Sequence, residues 1–450
     1  MDKQNKINRR QFLGTLGAAV GAPYIISSGV LAEAGRPGAN EKLTTALIGS
    51  GGRGMGLMNE IRRSEIADSI ECVAACDVDE NRLAGAARSL ARGSRKPVTP
   101  YRDYRYVLER KDIDTVVIAT PDHWHGVQTV HSAECGKHIY VEKPACCTIE
   151  EGKAMVRAAN ENKVTVQVGS QGRSQREAYL SHRYLVNGNI GHIDKVWCFH
   201  YNSPEDNNPV PDSDPPAELD WDMWLGPLRW RPYNRKYHHG VFRWIMESGG
   251  GQIRDRGAHV MSCTKWWMGA DDTGPVTIEA TGTSPRRGLW DSAVTMHVTY
   301  TFKDPDWVLI WDQETGNAPP AEERKPGEAR IVRPGYGAVY HGSKDTFTHW
   351  GGDGGTWAER KAREWVPPPG AKDVRKSPGH WEDWFEGIKT GKKTIMNIEA
   401  AVGVANLCVL GNLSFILGRK LHWDQAKQEI VGDEEARRLM GRPQRHPYHL

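Results

Sequence analysis

The chain has 450 residues, well beyond the roughly 250 residues at which single hydrophobic cores stop growing, so we expect two domains after a leader. Its 59 basic and 56 acidic residues are interspersed and leave a formal net charge of +3, which argues against nucleic acid as a partner. The hydrophobic fraction of 38% and the 48 glycines are typical of a globular protein with many turns. We expect no membrane-spanning run beyond the leader.

The first 34 residues are typical of an export signal and are set apart from the fold. A charged start ends in Arg9 and Arg10, a weakly hydrophobic stretch covers residues 14–30, and Ala-Glu-Ala at 32–34 fits signal-peptidase cleavage. A plain basic tail is the alternative, but the combination resembles a twin-arginine leader. It predicts the twin-arginine export machinery as a partner, a periplasmic or exported location, and a protein that folds before export.

Residues 41–170 alternate between short apolar runs and helical patterns. This alternation specifies a parallel sheet with helices on both faces, which is a doubly wound α/β domain. The predicted strands are 44–48, 70–76, 115–119, 138–141 and 164–168, and the predicted helices are 55–63, 80–92, 104–109, 127–135 and 149–160.

Residues 171–450 carry longer strands that alternate apolar and polar positions, which is typical of an antiparallel sheet. We therefore predict a second, α+β domain with an open, mostly antiparallel sheet that holds substrate and mediates oligomer contacts. The loop-rich stretch 315–379 allows no prediction. The predicted strands are 196–201, 276–281, 294–302 and 307–312, and the predicted helices are 381–389 and 398–417.

A glycine-rich turn follows the first predicted strand. Residues 49–54 fit G-x-G-x-x-G between a strand and a helix, the context that a dinucleotide pyrophosphate requires. Asp77 follows the second strand, where a carboxylate accepts hydrogen bonds from ribose hydroxyls and repels a 2′-phosphate. The pattern predicts a Rossmann domain that binds NAD in preference to NADP, and a glycine turn without a ligand is the alternative. The turn contains Gly49, Gly51, Gly52, Arg53 and Gly54.

Two further turns follow predicted strands, at the ends where open α/β sheets bind ligands. Thr120 and Pro121 follow one strand, and Glu142 and Lys143 follow the next. A lysine in this place can hydrogen-bond a substrate oxygen and stabilise developing alkoxide charge. It can equally be an ion-pair partner of Glu142, and spacing alone does not decide between the two roles.

Asp255 and His259 lie four residues apart at the start of an apolar helical pattern. If the helix begins there, both side chains project from one face, so the carboxylate orients the imidazole while the histidine takes a hydroxyl proton. The alternative is an acidic residue placed for the helix dipole beside an unrelated histidine.

Metal binding is not predicted. The eight cysteines form no CxxC pair and no zinc-ligand spacing, so we interpret them as mostly buried thiols. His123 and His125 lie two residues apart, and two histidines at this spacing rarely form a metal site without further ligands.

Tryptophans are concentrated in the second predicted domain, because only Trp124 of the 17 precedes residue 171. Core packing is favoured for any single tryptophan, and stacking on a sugar ring is the alternative for one or two of them. The cluster consists of Trp221, Trp224, Trp230, Trp244, Trp266 and Trp267.

Taken together, these motifs resemble the glucose-fructose oxidoreductase, inositol dehydrogenase and rhizopine-catabolism family, written Gfo/Idh/MocA, over nearly the whole chain after the leader. The resemblance implies a cleft between the two domains, dimers or tetramers, and catalytic roles for Lys143, Asp255 and His259. One departure is Ser262, where members frequently carry an acidic residue, and it leaves the substrate contacts open. The leader and the Trp-rich stretch 220–227 look like the exported branch of saccharide-degrading bacteria. The implied cofactor contacts are Gly49, Gly51, Gly52, Arg53, Gly54, Asp77, Thr120, Pro121, His125, Glu142 and Lys143.

Our working hypothesis is an NAD-dependent oxidoreductase that acts on a CH–OH group of a sugar or sugar derivative. In this hypothesis His259 removes the hydroxyl proton, Lys143 stabilises the alkoxide, Asp255 orients His259, and a hydride moves to the nicotinamide. Export implies tightly bound NAD, since no nicotinamide pool outside the cytoplasmic membrane would reoxidise it. The alternatives are a glycosidase that oxidises a hydroxyl transiently with no net redox change, and a sensor that has lost catalysis.

Overall fold

The computed structural model describes residues 42–450 except 93, 95, 315, 317–334, 353 and 354. The chain divides into two units, Met1–Lys42 and Leu43–Leu450. The predicted leader, residues 1–34, and residues 315, 317–334, 353 and 354 of the stretch 315–379 lie outside the described residues.

The N-terminal part alternates strand and helix as the sequence predicts. Its strands are β1 (Leu43–Ile48), β2 (Ile70–Cys76), β3 (Thr99–Tyr101), β4 (Thr115–Ile118), β5 (His138–Val141) and β6 (Val166–Val168). Its helices are α1 (Gly52–Arg63), α2 (Glu80–Ala91), α3 (Tyr104–Leu108), α4 (Asp122–Glu134) and α5 (Ile149–Glu161).

These six strands form one parallel sheet in the order β3-β2-β1-β4-β5-β6. The chain leaves one half of the sheet after β3 and starts the other half at β4, so the strand order reverses between the neighbours β1 and β4. The central strands are buried along almost their whole length, which explains their unbroken apolar sequence. The predicted doubly wound parallel sheet is therefore confirmed, and ligands of such sheets bind where the order reverses.

The remaining described chain forms a mixed α+β layer. Its strands are β7 (Ile193–His200), β8 (Thr277–Thr283), β9 (Thr295–Lys303), β10 (Asp306–Gln313), β11 (Gly337–Gly342), β12 (Thr346–Gly352), β13 (Gly355–Ala358), β14 (Leu421–Asp424) and β15 (Glu429–Val431). Its helices are α6 (Arg176–Val186), α7 (Trp221–Leu225), α8 (Ala258–Trp267), α9 (Arg360–Arg363), α10 (His380–Thr390), α11 (Ile398–Leu417) and α12 (Glu434–Arg438).

The nine strands pair in the order β13-β12-β11-β7-β10-β9-β8-β14-β15. The pair β7 and β10 is parallel, and the other pairs are antiparallel. The sheet is open, because β13 and β15 at its two ends do not pair with each other within the described chain. The predicted open, mostly antiparallel sheet is thus confirmed, and β11 to β13 fall in the stretch for which the sequence allowed no prediction.

Helix α11 is the central helix of the second layer. It is long and apolar enough to cross a membrane by length and composition, so our expectation that no such run follows the leader was wrong. However, 78% of its most apolar 18-residue window is buried inside the protein. Asn406 and Asn412 interrupt the apolar surface and are themselves buried, a pattern typical of a core helix.

Helix α10 returns the chain to the first sheet. Trp381 stacks on Tyr140 of β5 with ring centroids 4.2 Å apart, and Trp384 meets the same tyrosine edge-on. Both tryptophans belong to the apolar cluster beneath α1 and α2. The C-terminal part of the sequence therefore completes the core of the first sheet.

Candidate active site

A cavity of about 1010 Å³ lies at the carboxyl ends of β1, β2, β4 and β5. One side is formed by the turns after these strands, and the other by residues 201–256 of the second layer. The cavity occupies the point where the strand order reverses, as expected for a ligand site in a doubly wound sheet.

The glycine turn at the end of β1 is shaped for close approach to a ligand. Gly49 has a φ of +92°, and a Cβ there would lie 2.6 Å from the Ala119 carbonyl carbon. A Cβ on Gly54 would overlap the Gly49 carbonyl oxygen, so position 54 must be glycine as well. A Cβ added to Gly52, which starts α1, would meet open space, since no neighbouring atom lies within 4 Å of it. The turn therefore fits a dinucleotide pyrophosphate at a helix N-terminus.

Asp77 braces this turn from the end of β2. Its carboxylate accepts hydrogen bonds from the Ser50 backbone N–H at 2.7 Å and the Asp79 backbone N–H at 3.0 Å. Burial raises the pKa of Asp77, and these two hydrogen bonds oppose that rise. The carboxylate borders the cavity where the sequence places the ribose contact, so its geometry fits NAD.

His125 joins the turns after β4 and β5. Its Nδ1 lies 2.8 Å from the Pro144 carbonyl oxygen, and its Nε2 lies 3.0 Å from the Thr120 carbonyl oxygen. The Thr120 hydroxyl in turn donates to Gln128 at 2.8 Å. Together with Pro121, these residues border the cavity, so the implied cofactor contacts from this region are brought together.

Arg53 and Glu142 form an ion pair across the same end of the sheet. The Arg53 Nη2 lies 2.8 Å from the Glu142 carboxylate, and a second contact joins Arg53 to Glu60. Glu142 therefore has an arginine partner in Arg53, and the interpretation of Lys143 as an ion-pair partner of Glu142 stays a prediction.

Lys143 instead reaches Asp255 in the second layer. Its ammonium donates to the Asp255 carboxylate at 2.9 Å and to the Asp255 carbonyl oxygen at 2.8 Å. The two side chains are 11% and 9% exposed, and both border the cavity. The structure thus brings together two of the three predicted catalytic residues.

Two arginines that sequence reasoning missed complete this cluster. The Arg243 Nε donates to the Asp255 carboxylate at 3.0 Å, and the Arg256 Nε lies 3.3 Å from its other oxygen. Burial opposes ionisation of Asp255, but the charges of Lys143, Arg243 and Arg256 outweigh it and hold the pKa of Asp255 well below its usual value. Asp255 therefore remains a carboxylate, and its lowered pKa makes it a weak general base near neutral pH.

The third predicted catalytic residue, His259, does not border the cavity. Among the described residues that border the cavity, Asp255 is present and His259 is not, and His259 is 3% exposed. The predicted regular helix through both residues starts instead with a π turn, Ile253–Gly257, whose wider winding changes the angle between positions four apart. The contacts of the Asp255 carboxylate named above are with cations, so its orienting role toward His259 stays a prediction.

A segment of the second layer crosses the cavity beside the cofactor turn. We call residues 216–226 the strap; it contains α7. At one end the Asp220 N–H donates to the Val78 carbonyl at 3.0 Å. At the other end the Trp224 carbonyl accepts from the Trp124 indole at 3.1 Å and lies 2.9 Å from the His123 Nε2. The strap therefore joins the first sheet on both sides of the site.

The Trp-rich sequence builds the strap's own small core. Trp221 and Trp224 stack with ring centroids 4.9 Å apart and are almost fully buried. Trp224 and Trp244 also border the cavity, whereas Trp230 is 63% exposed. Core packing thus explains Trp221, and ligand stacking stays a prediction for Trp224 and Trp244.

The C-terminal tail, residues 441–450, holds the strap in place. Arg442 pairs with buried Glu151 of α5 at 2.8 Å and donates to the Glu247 carbonyl at 2.6 Å. Arg445 pairs with Asp222 in the strap. Tail, strap and first sheet are thereby linked around the cavity.

Across the described residues, no group of three or more His, Cys, Asp or Glu side chains is placed to hold a metal ion. The cysteines in this part of the chain are free, and all are buried apart from Cys135.

A doubly wound sheet, a glycine turn open to a pyrophosphate and a carboxylate at the ribose position define a dinucleotide-binding enzyme. The chain matches two family models over more than half its length. Residues 43–170 match an oxidoreductase family with an NAD-binding Rossmann fold, and residues 187–328 and 371–450 match its C-terminal alpha/beta domain. The chain therefore belongs to the Gfo/Idh/MocA oxidoreductase family, and its cofactor is NAD.

Individual relatives are distant. A levoglucosan dehydrogenase from Pseudarthrobacter phenanthrenivorans is 29% identical over 37% of this chain and 36% of its own length. A glycosyl hydrolase family 109 protein from Shewanella baltica is 31% identical over 33% of this chain and 36% of its own. The aligned part thus spans about a third of these curated relatives.

Solved structures resemble the chain over a larger part of its length. The WlbA dehydrogenase from Bordetella pertussis, crystallised with NADH and UDP-GlcNAcA, superposes with a TM-score of 0.59. The match covers 85% of this chain and 99% of the other, at 16% identity. This likeness concerns the fold alone.

Proposed function

We propose that the protein is an NAD-dependent oxidoreductase that oxidises a CH–OH group of a sugar or sugar derivative. One observation carries the proposal: the Lys143 ammonium, held by Asp255 at 2.9 Å, borders the same cavity as the glycine turn. A relative that acts on a sugar, levoglucosan dehydrogenase, supports the substrate class. When bound, NAD supplies hydride transfer.

The cationic cluster has a definite role in this proposal. Lys143 donates a hydrogen bond to the substrate oxygen and stabilises the negative charge that develops there as the proton leaves. Asp255 holds the ammonium at the border of the cavity through the contacts with its carboxylate and its carbonyl oxygen. His259 is the proposed proton acceptor. It is 3% exposed and does not border the cavity, so contact with a substrate hydroxyl requires the residues that cover it to move.

The test starts from protein purified without added cofactor. Denaturation followed by mass spectrometry of the supernatant identifies any dinucleotide, and the folded protein is then mixed with a panel of sugars. We expect the mass spectrum to show NAD. When a true substrate is added to the folded protein, we expect the absorbance of reduced nicotinamide to rise. Absence of dinucleotide, together with no binding of supplied NAD, would refute the proposal and favour a sensor.

We also propose that NAD stays bound through many turnovers, with the reduced cofactor reoxidised in place by a second sugar that is reduced after the first is oxidised. The strap contacts the first sheet on both sides of the cavity, at Val78 and at Trp124, and this bridging supports slow release. Retention also fits the proposed twin-arginine leader and periplasmic location, which cell fractionation of the full-length protein would test. We further propose a homo-oligomer, which light scattering coupled to gel filtration would check.

A second candidate function is a redox-neutral glycosidase. The relative in glycosyl hydrolase family 109 favours it. In this mechanism the same hydroxyl is oxidised, the aglycone leaves by elimination, water adds to the resulting double bond, and the hydride returns to the sugar, so that the net reaction is hydrolysis. Release of an aglycone from an aryl glycoside without accumulated ketosugar or reduced cofactor would identify the glycosidase. Accumulation of the ketosugar and the reduced cofactor would identify the oxidoreductase.

A further inference from the structure

The substrate side of the cavity carries more positive than negative charge. Three cationic side chains, Lys143, Arg243 and Arg256, share the single carboxylate of Asp255. Formally, this cluster has an excess of two positive charges. All four side chains border the cavity.

The neighbouring carboxylates do not cancel this excess. Glu142 pairs with Arg53 at 2.8 Å. Asp122, which is buried at the start of α4, lies 4.0 Å from the buried guanidinium of Arg254. Each of these acids thus has a cation outside the cluster, and both also act electrostatically on Arg243 from a greater distance than Asp255 does.

One cation would suffice to hold Asp255, so the two arginines need a further explanation. Their side chains are 36% and 28% exposed, which means that water in the open cavity solvates them. A substrate that fills the cavity displaces this water, and a guanidinium that loses its water without gaining an anion is strongly disfavoured. A neutral ligand would therefore bind against a desolvation cost that an anionic ligand avoids.

The arginines also have the geometry for an oxyanion. A guanidinium presents five N–H donors in a plane, and the Arg243 contacts to Asp255 and to the Gly240 carbonyl use two of its nitrogens. Arginine binds carboxylate and sulfate oxygens through parallel hydrogen bonds that lysine cannot reproduce. Asn202 and Gln252 border the same region and can serve neutral hydroxyls.

We infer that the sugar substrate carries an oxyanion, either a carboxylate or a sulfate ester, which binds to Arg243 and Arg256 while its reacting hydroxyl meets Lys143. The inference rests on the proposed function, because it names the substrate class of that site. It predicts that acidic sugars are preferred to their neutral counterparts.

The test compares matched sugars on the NAD-loaded protein. Glucuronate is compared with glucose, galacturonate with galactose, and galactose 6-sulfate with galactose, with affinity measured by calorimetry at low and high salt. We expect at least one acidic sugar to bind about 10- to 100-fold more tightly than its neutral partner, with the preference reduced by salt. The uronate and sulfate arms distinguish the two oxyanions.

Variants then assign the preference to the arginines. Arg243→Gln and Arg256→Gln should each reduce the preference for the acidic sugar to about 3-fold or less. The side chain of Arg229 is 80% exposed, and Arg229→Gln should leave the preference intact. Thermal melting and NAD content show whether each variant folds. The comparison of acidic with neutral sugars on the wild-type protein tests the inference even if a variant does not fold. The inference is overturned if no acidic sugar binds more tightly than its neutral partner, or if the preference survives both substitutions.

Failure of this inference differs from failure of the proposed function. If neutral sugars bind and reduce the retained NAD as well as acidic ones, the oxidoreductase stands and the anionic substrate is wrong. If the protein neither contains nor binds NAD, the proposed function itself fails.

Discussion

Lys143 is the residue whose environment is most specific to catalysis. The Lys143 side chain is 11% exposed and shares the Asp255 carboxylate with two arginines. Its ammonium is a compact charge, whereas the charge of an arginine is spread over a planar group, so neither arginine can take its place. We expect Lys143→Met to lower kcat by about 10²- to 10³-fold while NAD content is retained. Lys153→Met, which alters a lysine paired with Glu150 on the exposed face of α5, should have full activity.

His259 allows a separate test of the proton acceptor. If it accepts the hydroxyl proton, His259→Ala should lower kcat by about 10²- to 10⁴-fold. The binding of the sugar should change much less than kcat. Full activity in this variant would assign the proton to another acceptor and leave His259 a core residue, in agreement with its burial.

Sequence reasoning reached some of these residues and missed others for a physical reason. Gly49, Asp77 and Lys143 each follow a strand, and strand ends meet at one edge of a parallel sheet, so local patterns place them together. Arg243 comes to Asp255 from a loop outside any regular pattern. Nothing in a linear spacing predicts that contact, although Arg256 next to Asp255 could have been noticed.

At the scale of elements, the strap depends on a glycine. Gly226 ends α7 with a φ of +52°, and a Cβ there would overlap the Trp124 indole. We expect Gly226→Ala to lower the free energy of unfolding by about 1–3 kcal/mol and to speed NAD loss during dialysis. Gly188→Ala is the control, since its φ is +70° but no atom lies within 4 Å of its Cβ position. Equal NAD loss from both variants would count against the strap.

The tail provides a second element-scale test. Arg442 is the partner of Glu151, whose side chain is 1% exposed, and removing one member of a buried pair typically costs about 3–5 kcal/mol. Arg442→Met should therefore lower unfolding stability by about this amount and increase the rate of NAD release. Arg438→Met alters an exposed arginine of α12 and should change neither quantity. Unchanged stability in Arg442→Met would show that the tail is not a brace.

Elements were predictable where packing is regular. Strands β2 and β5 and helix α11 have the predicted bounds, because two-sided burial or a long apolar run leaves an unmistakable pattern. Strand β3 was missed, since its three residues are largely exposed and include a proline. Strand β14 and the edge strand β15 are similarly short. They are held by the pairing of β14 with β8 and of β15 with β14 rather than by their own apolar sequence.

For the whole molecule, buried histidines link stability to pH. Burial lowers the pKa of His123 to about 3, partly opposed by its hydrogen bond to the Trp224 carbonyl, and burial alone lowers the pKa of His349 to about 3. In the unfolded chain both should titrate near 6.5. The unfolded state therefore takes up protons below pH 6.5 that the folded state refuses until about pH 3.

This difference sets both the direction and the size of the effect. Because the unfolded state binds more protons in this window, stability is greatest above pH 6.5 and falls as the pH drops. Each histidine contributes about 1.4 kcal/mol per pH unit between pH 6 and pH 4, and the two together about 2.7. Urea unfolding at constant ionic strength should show at least this slope, because burial also lowers the pKa values of His182, His238 and His239. His349→Phe, which puts an apolar ring at a buried position of β12, should reduce the slope by about 1.4 kcal/mol per pH unit. A slope unchanged by that substitution would mean that His349 is protonated in the folded protein, and the acid sensitivity would then have to arise elsewhere.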